Sequence, residues 1–462
     1  MNRITVYNSE NVQEEKFEEA IMTGNTLGWV IVAFVLYLLM MIAIGAFYAK
    51  GNNNSEDYFL GGRKLNGFVA ALSAQASDMS GWLLMGLPGA IYLTGVGGDG
   101  WIAIGLFIGT TLNWLFIATK LRRYTIRASN SVTLPTYFEN RFHDEKKVLM
   151  TVSSITIVVF FLVYCASALS AGGQLFESVF GIDYHVALTI GALVVLVYTF
   201  LGGFTAVCVT DFIQGMLMLV GILAVPLFAY HFLTSGGTTL SAGLEASGAD
   251  SANFLNLMKN GDGSNNIVSV ISGLGWGLGY FGMPHILVRF MAVRDEKEMT
   301  KSKATAISWV ALSLGFAVFI GILGRAYLPE LVNGNNEKVF IEMIKKVFTM
   351  EMRAPFIAGL FLCGILAAIM STADSQLLVS ASSVAEDIFK GLLKKNADDK
   401  TVMNVSRVTV LVVAVLAYII AWNPNNTVMG LVSNAWAGLG AAFGPLVVMS
   451  LYWKRTNFPG AV

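Results

Sequence analysis

The sequence predicts an all-α integral membrane protein folded as a single helical bundle. Three observations carry that prediction. Of 462 residues, 55% are hydrophobic and only 13% charged, where a soluble domain has roughly 25% charged residues. The apolar residues fall in long unbroken runs, unlike the short alternating segments of a β-barrel. Polar groups interrupt two of those runs at corresponding places in two halves of the chain, the pattern of a transport site.

The same composition excludes several classes. Formal net charge is zero, so no global field draws nucleic acid. Cys165, Cys208 and Cys363 lie inside apolar runs, which is neither a disulfide framework nor a zinc pattern. His143, His185, His231 and His285 are scattered. No phosphate loop, nucleophile elbow or zinc motif occurs, so an enzyme is not expected and ATP is not expected as the energy source. The first apolar run begins near Leu27 and is long enough to span, so it reads as a retained helix rather than a signal peptide.

A bilayer core takes roughly 20 helical residues to cross. Eleven spans are expected, at 27–49, 66–95, 100–123, 148–180, 184–203, 204–231, 268–291, 304–328, 355–386, 404–423 and 427–453. A short surface helix is expected over Thr133–Phe142, with Pro135 near its start, and an amphipathic helix within 329–354. Residues 235–267, rich in Gly, Ser, Asn and Asp, read as a long loop, and Gly61-Gly62-Arg63 and Gly202-Gly203 as turns. Of the 30 Lys and Arg, 22 fall on one side of this layout if the N-terminus is outside; that bias predicts N-out and C-in. Arg63, Lys120–Arg123, Arg289 and Arg294 belong to this basic side and read as topology determinants.

Spans two to six and seven to eleven form two sets of five, and an odd number per set inverts the second set. The segments are then 1–26 (outside), 27–65 (first helix and cytoplasmic loop), 66–231 (first five-helix repeat), 232–267 (outside loop), 268–453 (second repeat) and 454–462 (tail). The opening span of each set is interrupted. Span two carries Ala76-Ser77-Asp78-Met79-Ser80-Gly81-Trp82, and span seven carries Gly273, Gly275, Gly277, Gly279 and Gly282. An acid and two hydroxyls at membrane depth persist only against protein, water or an ion. Unwinding there frees carbonyls for a hard cation such as sodium; the alternative is that Ser77 and Asp78 merely cap a helix end. On span nine, Ser371, Asp374 and Ser375 share a helix face, with Thr372 beside them; hydroxyls in apolar helices also commonly bond back to their own carbonyls. Asp211 is a third acid in an apolar run, open to a cation, a proton relay or simple solvation at the helix end. Trp276, Tyr280 and Pro284 follow at i, i+4, i+8, suited to a small amphipathic ligand or to ordinary packing.

Residues Ala76 to Ala90, Tyr164-Cys165-Ala166-Ser167, Trp276 to Gly282 with Pro284-His285, and Met370-Ser371-Thr372 with Gln376-Leu377-Leu378 resemble the sodium:solute symporter family, most of all its bacterial members that carry proline. The resemblance runs from about residue 28 to the end. It implies a leucine-transporter-type (LeuT) core of two inverted five-helix repeats plus one extra N-terminal helix. It implies a sodium site from the carbonyls of Ala76, Met79 and Ala368 and the hydroxyls of Ser371 and Thr372, supported by Asp78. Ser80, Trp82, Tyr164, Tyr280, Trp276 and Pro284 match positions tied to proline binding. Asp211 matches an acid that in some members joins span-nine hydroxyls in a second sodium site.

Three departures stand out. Asp374 stands where the family often has a small hydroxyl residue, and with Ser375 it leaves the ion count open. The acidic, polar lead-in of about 25 residues is longer than usual. The chain ends at Val462, where relatives commonly continue.

The expectation is therefore a sodium-coupled symporter that imports L-proline across the cell membrane, functional as a monomer in the lipid bilayer with no nucleic-acid partner. The rivals are the same machine carrying another amino acid, a sugar or pantothenate, a solute sensor, or a channel.

Overall fold

The structure is a computed structural model that describes residues 24–49, 54–201 and 203–462. Most of the expected 1–26 segment, Arg3, Lys16, Lys50 and the Gly202 half of one turn lie outside the described residues. Among those residues the chain is helical, with bounds that follow capping chemistry. Helix α1 (Gly24–Ala49) is the first span. A short α2 (Ser55–Leu60) follows. The Gly61-Gly62-Arg63 turn then uses φ of 61° and 57° at its glycines, a left-handed backbone that glycine adopts without a Cβ clash.

Span two is two pieces, α3 (Gly67–Asp78) and α4 (Leu87–Thr94), joined by a wide turn Trp82–Gly86. The Asn66 carboxamide starts α3 by accepting from Val69 N. Span three runs through α5 (Val96–Leu112), a π turn and α6 (Ala118–Arg127). The surface helix α7 (Leu134–Phe142) begins at its Thr133 cap. Then come α8 (Val148–Phe180), α9 (Tyr184–Leu201) and α10 (Phe204–Ser235). The expected loop 235–267 in fact holds two short helices, α11 (Leu240–Ala246) and α12 (Ser251–Phe254). Thr239 and Asp250 cap them, a local signal that composition hides.

Span seven is α13 (Ile267–Trp276), a 3₁₀ stretch Gly277–Gly282 and α14 (Pro284–Ala292). The pieces bend by 47°. The bend takes Pro284 off the line expected of a regular helix, while Trp276 and Tyr280, both before it, each pack on the Trp436 ring. Span eight, α15 (Glu296–Tyr327), starts eight residues earlier than hydropathy suggests, because Asp295 caps it with a charged first turn. Its amphipathic follower is α16 (Val339–Lys345) with the turn Lys346–Glu351. Span nine, α17 (Pro355–Ser382), continues in a wider winding to Leu393. Helices α18 (Asp399–Ala421), α19 (Val428–Tyr452) and a terminal turn α20 (Phe458–Ala461) complete the chain.

Among the described residues eight helices are long and apolar enough to cross a membrane, or nine if the bent pair Ile267–Gly282 and Pro284–Ala292 is one span. Trp82–Thr94 and Tyr184–Val197 are apolar but shorter, so length and composition account for fewer than the eleven expected spans. Span nine lies at the centre: 78% of its most apolar window is buried, against 56% or less for the other long apolar helices. It packs on α1, α3, α8, α10 and α18, while α3 also packs on α10, α14 and α15. Helices α1, α8, α10, α14, α15 and α18 thus lean on the α3 half of broken span two, on span nine, or on both.

Candidate functional site

Helix α3 ends at Asp78, so the break falls one residue later than the acid. Met79 has φ −87° and ψ 74°, outside helical values, and Met79 N–H donates the last α-helical bond, to Gln75 O at 2.8 Å. The residues around the break are buried: Ala76, Ser77, Asp78 and Met79 are at 0% exposure, Ser80 and Trp82 at 1%. Desolvating an acid and bare carbonyls this completely is costly unless something answers them.

Span nine supplies part of the answer. Ser371 Oγ donates to Ala76 O at 2.8 Å and stands 3.2 Å from Ala368 O, its own helix's carbonyl. The shorter contact crosses to the broken helix, which back-bonding alone does not explain. Thr372 Oγ1, one residue on, is buried with no partner among the described residues. Ala76, Ala368 and Ser371 therefore meet, with Thr372 next to Ser371 in the chain and Met79 three residues after Ala76. This is an oxygen-lined, dry locus of the kind a hard alkali ion takes; hydroxyls and carbonyls fit it, and the orphaned Thr372 oxygen is a ligand to spare.

Asp78 faces the other way, toward aromatic groups. Tyr280 Oη donates to Asp78 Oδ2 at 2.7 Å. Trp82 Nε1 and Tyr164 Oη donate to Asp78 O at 2.9 and 3.4 Å. Ser80 Oγ accepts from Trp82 N at 3.3 Å. Spans two, four and seven are thus tied at one residue. Tyr280 reaches Asp78 only because the backbone of Gly277–Gly282 passes close to α19. A Cβ on Gly279 would lie 2.0 Å from Trp436 Nε1. The same Nε1 donates to Trp276 O at 2.8 Å, and the Trp276 ring stacks on Trp436 rather than joining Asp78. Pro284 lines a separate, small cavity of about 20 Å³ with Phe59, Thr133, Phe204 and Ser383.

A second buried network lies beside the first. Asp211 Oδ2 accepts from Ser73 Oγ at 2.7 Å and from Arg289 Nη2 at 3.1 Å. Arg289 Nη2 also reaches Ser375 Oγ at 2.5 Å, Nε reaches Ser73 Oγ at 3.1 Å, and Ser375 Oγ in turn reaches Asp374 Oδ1 at 3.2 Å. Arg289 and its Asp211 partner have side chains 1% and 0% exposed, which corrects the expectation that Arg289 is a loop cation. Position in the sequence placed it at a helix end; only the packing of α14 against α3 turns it inward. A cue was available, since Arg289 stands four residues after His285 on the short, apolar helix that follows the break.

Both ends of the bundle are shut by buried acids that the sequence reading passed over. Glu337 accepts from Val428 N at 2.9 Å and Met429 N at 3.0 Å, capping α19 from outside its own helix. Asp387 accepts from Thr133 Oγ1 and Thr136 Oγ1 at 2.5 and 2.7 Å, pinning span nine to α7. Tyr164, Tyr280, Ser371 and Thr372 are all at 0% exposure.

A bundle of inverted five-helix repeats around a broken first helix, with an oxygen-lined cradle at the break, defines a secondary transporter of the LeuT fold. The fold is shared with a Na+-coupled sialic acid symporter in a substrate-bound outward-open state (21% identical, TM-score 0.75, covering 93% of this chain and 88% of that one). It is shared also with MhsT in complex with L-phenylalanine (14% identical, TM-score 0.55, covering 84% and 89%). The profile of the sodium:solute symporter family matches residues 58–462, and the chain belongs to that family. It is 46% identical to the sodium/proline symporter of Salmonella typhimurium over 94% of this chain and 84% of that protein. It is 45% identical to the high-affinity proline transporter PutP of Bacillus subtilis over 91% and 87%.

Proposed function

We propose that the protein is a sodium-coupled importer of L-proline working by alternating access. The observation that carries this is the hydroxyl of Ser371 spanning from span nine to the Ala76 carbonyl of the broken helix, with the unpartnered Thr372 hydroxyl next to it. The sodium site comprises the carbonyls of Ala76, Met79 and Ala368 and the hydroxyls of Ser371 and Thr372. Asp78 supports it through the chain, one residue from Met79. Proline sits against Trp82, Tyr164 and Tyr280, with Ser80 at the break; Trp276 acts through Trp436, and Pro284 through the bend. The kinship with two proline carriers at 45–46% identity supports the choice of solute.

Sodium enters from outside, bridges span two to span nine and holds the outer face open; proline then closes it. The Glu337 and Asp387 contacts are the closures that must open in turn. Asp211, Asp374 and Ser375 belong to a supporting network rather than to a second ion, because the Arg289 guanidinium already places a cation between Asp211 and Ser375. The protein lies in the cell membrane with its N-terminus outside, on the strength of 21 of 30 basic residues on the other side once the buried Arg289 is set apart. It acts as a monomer, since one chain closes the whole site, and no covalent bond is made or broken.

One sodium moving down a potential of ~150 mV yields ~3.5 kcal/mol, which is more than two decades of accumulation at about 1.4 kcal/mol per decade. Uptake of labelled proline into proteoliposomes tests the reading: a sodium gradient should drive accumulation, and equal uptake with and without it would remove the coupling.

A further inference from the structure

Transport of an amino acid requires a home for its carboxylate, and the hydrogen-bond donors around Asp78 are largely committed. Tyr280, Trp82 and Tyr164 all donate to Asp78 itself. Arg289, the cation nearest in sequence, spends its guanidinium on Ser73, Asp211, Ser375 and His285 O. His285 is different. It is at 0% exposure, and neither Nδ1 nor Nε2 has a hydrogen-bond partner. Its ring is packed edge-on to two aromatic faces of α8, 5.4 Å from Phe161 and 6.1 Å from Tyr164, with interplanar angles of 70° and 88°.

An imidazole carries at least one N–H in either protonation state. Burying that group unpaired is unfavourable, so a partner of polar chemistry is expected at this spot. The local backbone favours an anion. His285 is the second residue of α14, whose N-terminus opens at the Met283 break, where the helix dipole is positive. Tyr164, the ring beside it, is the same one that touches Asp78.

We propose that His285 donates its ring N–H to the carboxylate of the transported amino acid, and so sets the carrier's preference for a free α-carboxylate. The proposal rests on the reading that the solute sits among Trp82, Tyr164 and Tyr280. The imidazole reaches that group of residues through its edge-on contact with the Tyr164 ring, 6.1 Å between centroids. Packing alone would be served equally by an apolar ring of the same size; an N–H donor would not be needed.

The test compares wild type with His285→Phe, His285→Gln and His285→Asn in proteoliposomes. L-proline uptake is measured across sodium concentrations, and L-prolinamide, which lacks the negative charge, serves as competitor. His285→Phe should raise KM for proline by roughly 10- to 100-fold, the worth of one hydrogen bond to a charged group, with the sodium dependence unchanged. It should also erase most of the wild-type preference for proline over prolinamide. His285→Gln or His285→Asn, each keeping an N–H, should retain part of that preference. An unchanged KM and preference in His285→Phe would overturn the proposal, as would equal loss in all three variants with the preference intact. If His285→Phe does not reach the membrane, His285→Met replaces it under the same criteria. Wild-type protein that fails to take up proline on a sodium gradient would instead sink the functional reading beneath it.

Discussion

At the scale of single residues, two hydroxyls and one guanidinium decide the site. Ser371 Oγ and Thr372 Oγ1 are neighbours on span nine, yet among the described residues only the first has a partner. Ser371→Ala and Thr372→Ala should each raise the sodium concentration for half-maximal uptake about tenfold, the effect of losing one contact to a charge. Sodium titrations of uptake check this, and unchanged curves in both variants would place the ion elsewhere. Arg289 offers a different kind of test. Removing one member of a buried ion pair costs about 3–5 kcal/mol, because the other charge is left uncompensated. Arg289→Gln should therefore lower thermal stability in detergent sharply, while Asp211→Asn/Arg289→Gln should recover part of the loss. A double variant no better than the single would show that Arg289 is held by Ser73 and Ser375 rather than by charge. Of these residues, Ser371 and Thr372 stood out in the sequence because hydroxyls beside an acid at membrane depth are unusual. Arg289 did not, because a cation near an apparent helix end is ordinary.

At the scale of elements, the two broken helices carry the function and both breaks are backbone effects. The break in span two leaves Met79 outside helical geometry. The break in span seven lets Gly279 lie against the Trp436 indole, with no room for a Cβ. Gly279→Val should push Trp436 off the Trp276 carbonyl, displace Tyr280 from Asp78 and abolish uptake while the protein still inserts. Uptake assays normalised to membrane abundance measure this, and full activity would mean that Trp436 can turn aside. The breaks themselves were legible, since glycines at 273, 275, 277, 279 and 282 weaken a helix. The exact line of the three residues was not: a regular helix would align Trp276, Tyr280 and Pro284, whereas the 47° bend after Gly282 sets Pro284 apart, and Trp276 and Tyr280 both pack on Trp436, with only Tyr280 reaching Asp78. Capped starts such as Asp295 and Thr239 set bounds that hydropathy misplaced.

At the scale of the whole molecule, the protein is a helical bundle with a buried polar seam. Span nine runs through its middle and carries Thr372, Gln376, Ser380, Ser383 and Asp387 along the way. Gln376, Ser380 and Ser383 have side-chain polar atoms that are buried without partners. Such groups are costly in a closed protein and are what an opening pathway would hydrate. Asp387 on Thr133 and Thr136 at one end, and Glu337 on α19 at the other, are few and specific contacts. A bundle closed by a few polar contacts at each end can exchange them without unpacking its apolar core. That is the physical requirement of rocking between two faces.

The sequence alone determined the class, the helical bundle and the paired interruptions in spans two and seven. It could do so because hydropathy, glycine content and buried polarity are local properties of a chain in lipid. Tertiary structure alone decided which helices meet. It turned Arg289 inward onto Asp211, set Tyr280 on Asp78, parted Trp276 from both, and left His285 with two nitrogens bound to nothing. Each of those depends on where a helix bends and what it then faces, and contacts between residues a hundred or more positions apart leave no periodic trace in the sequence.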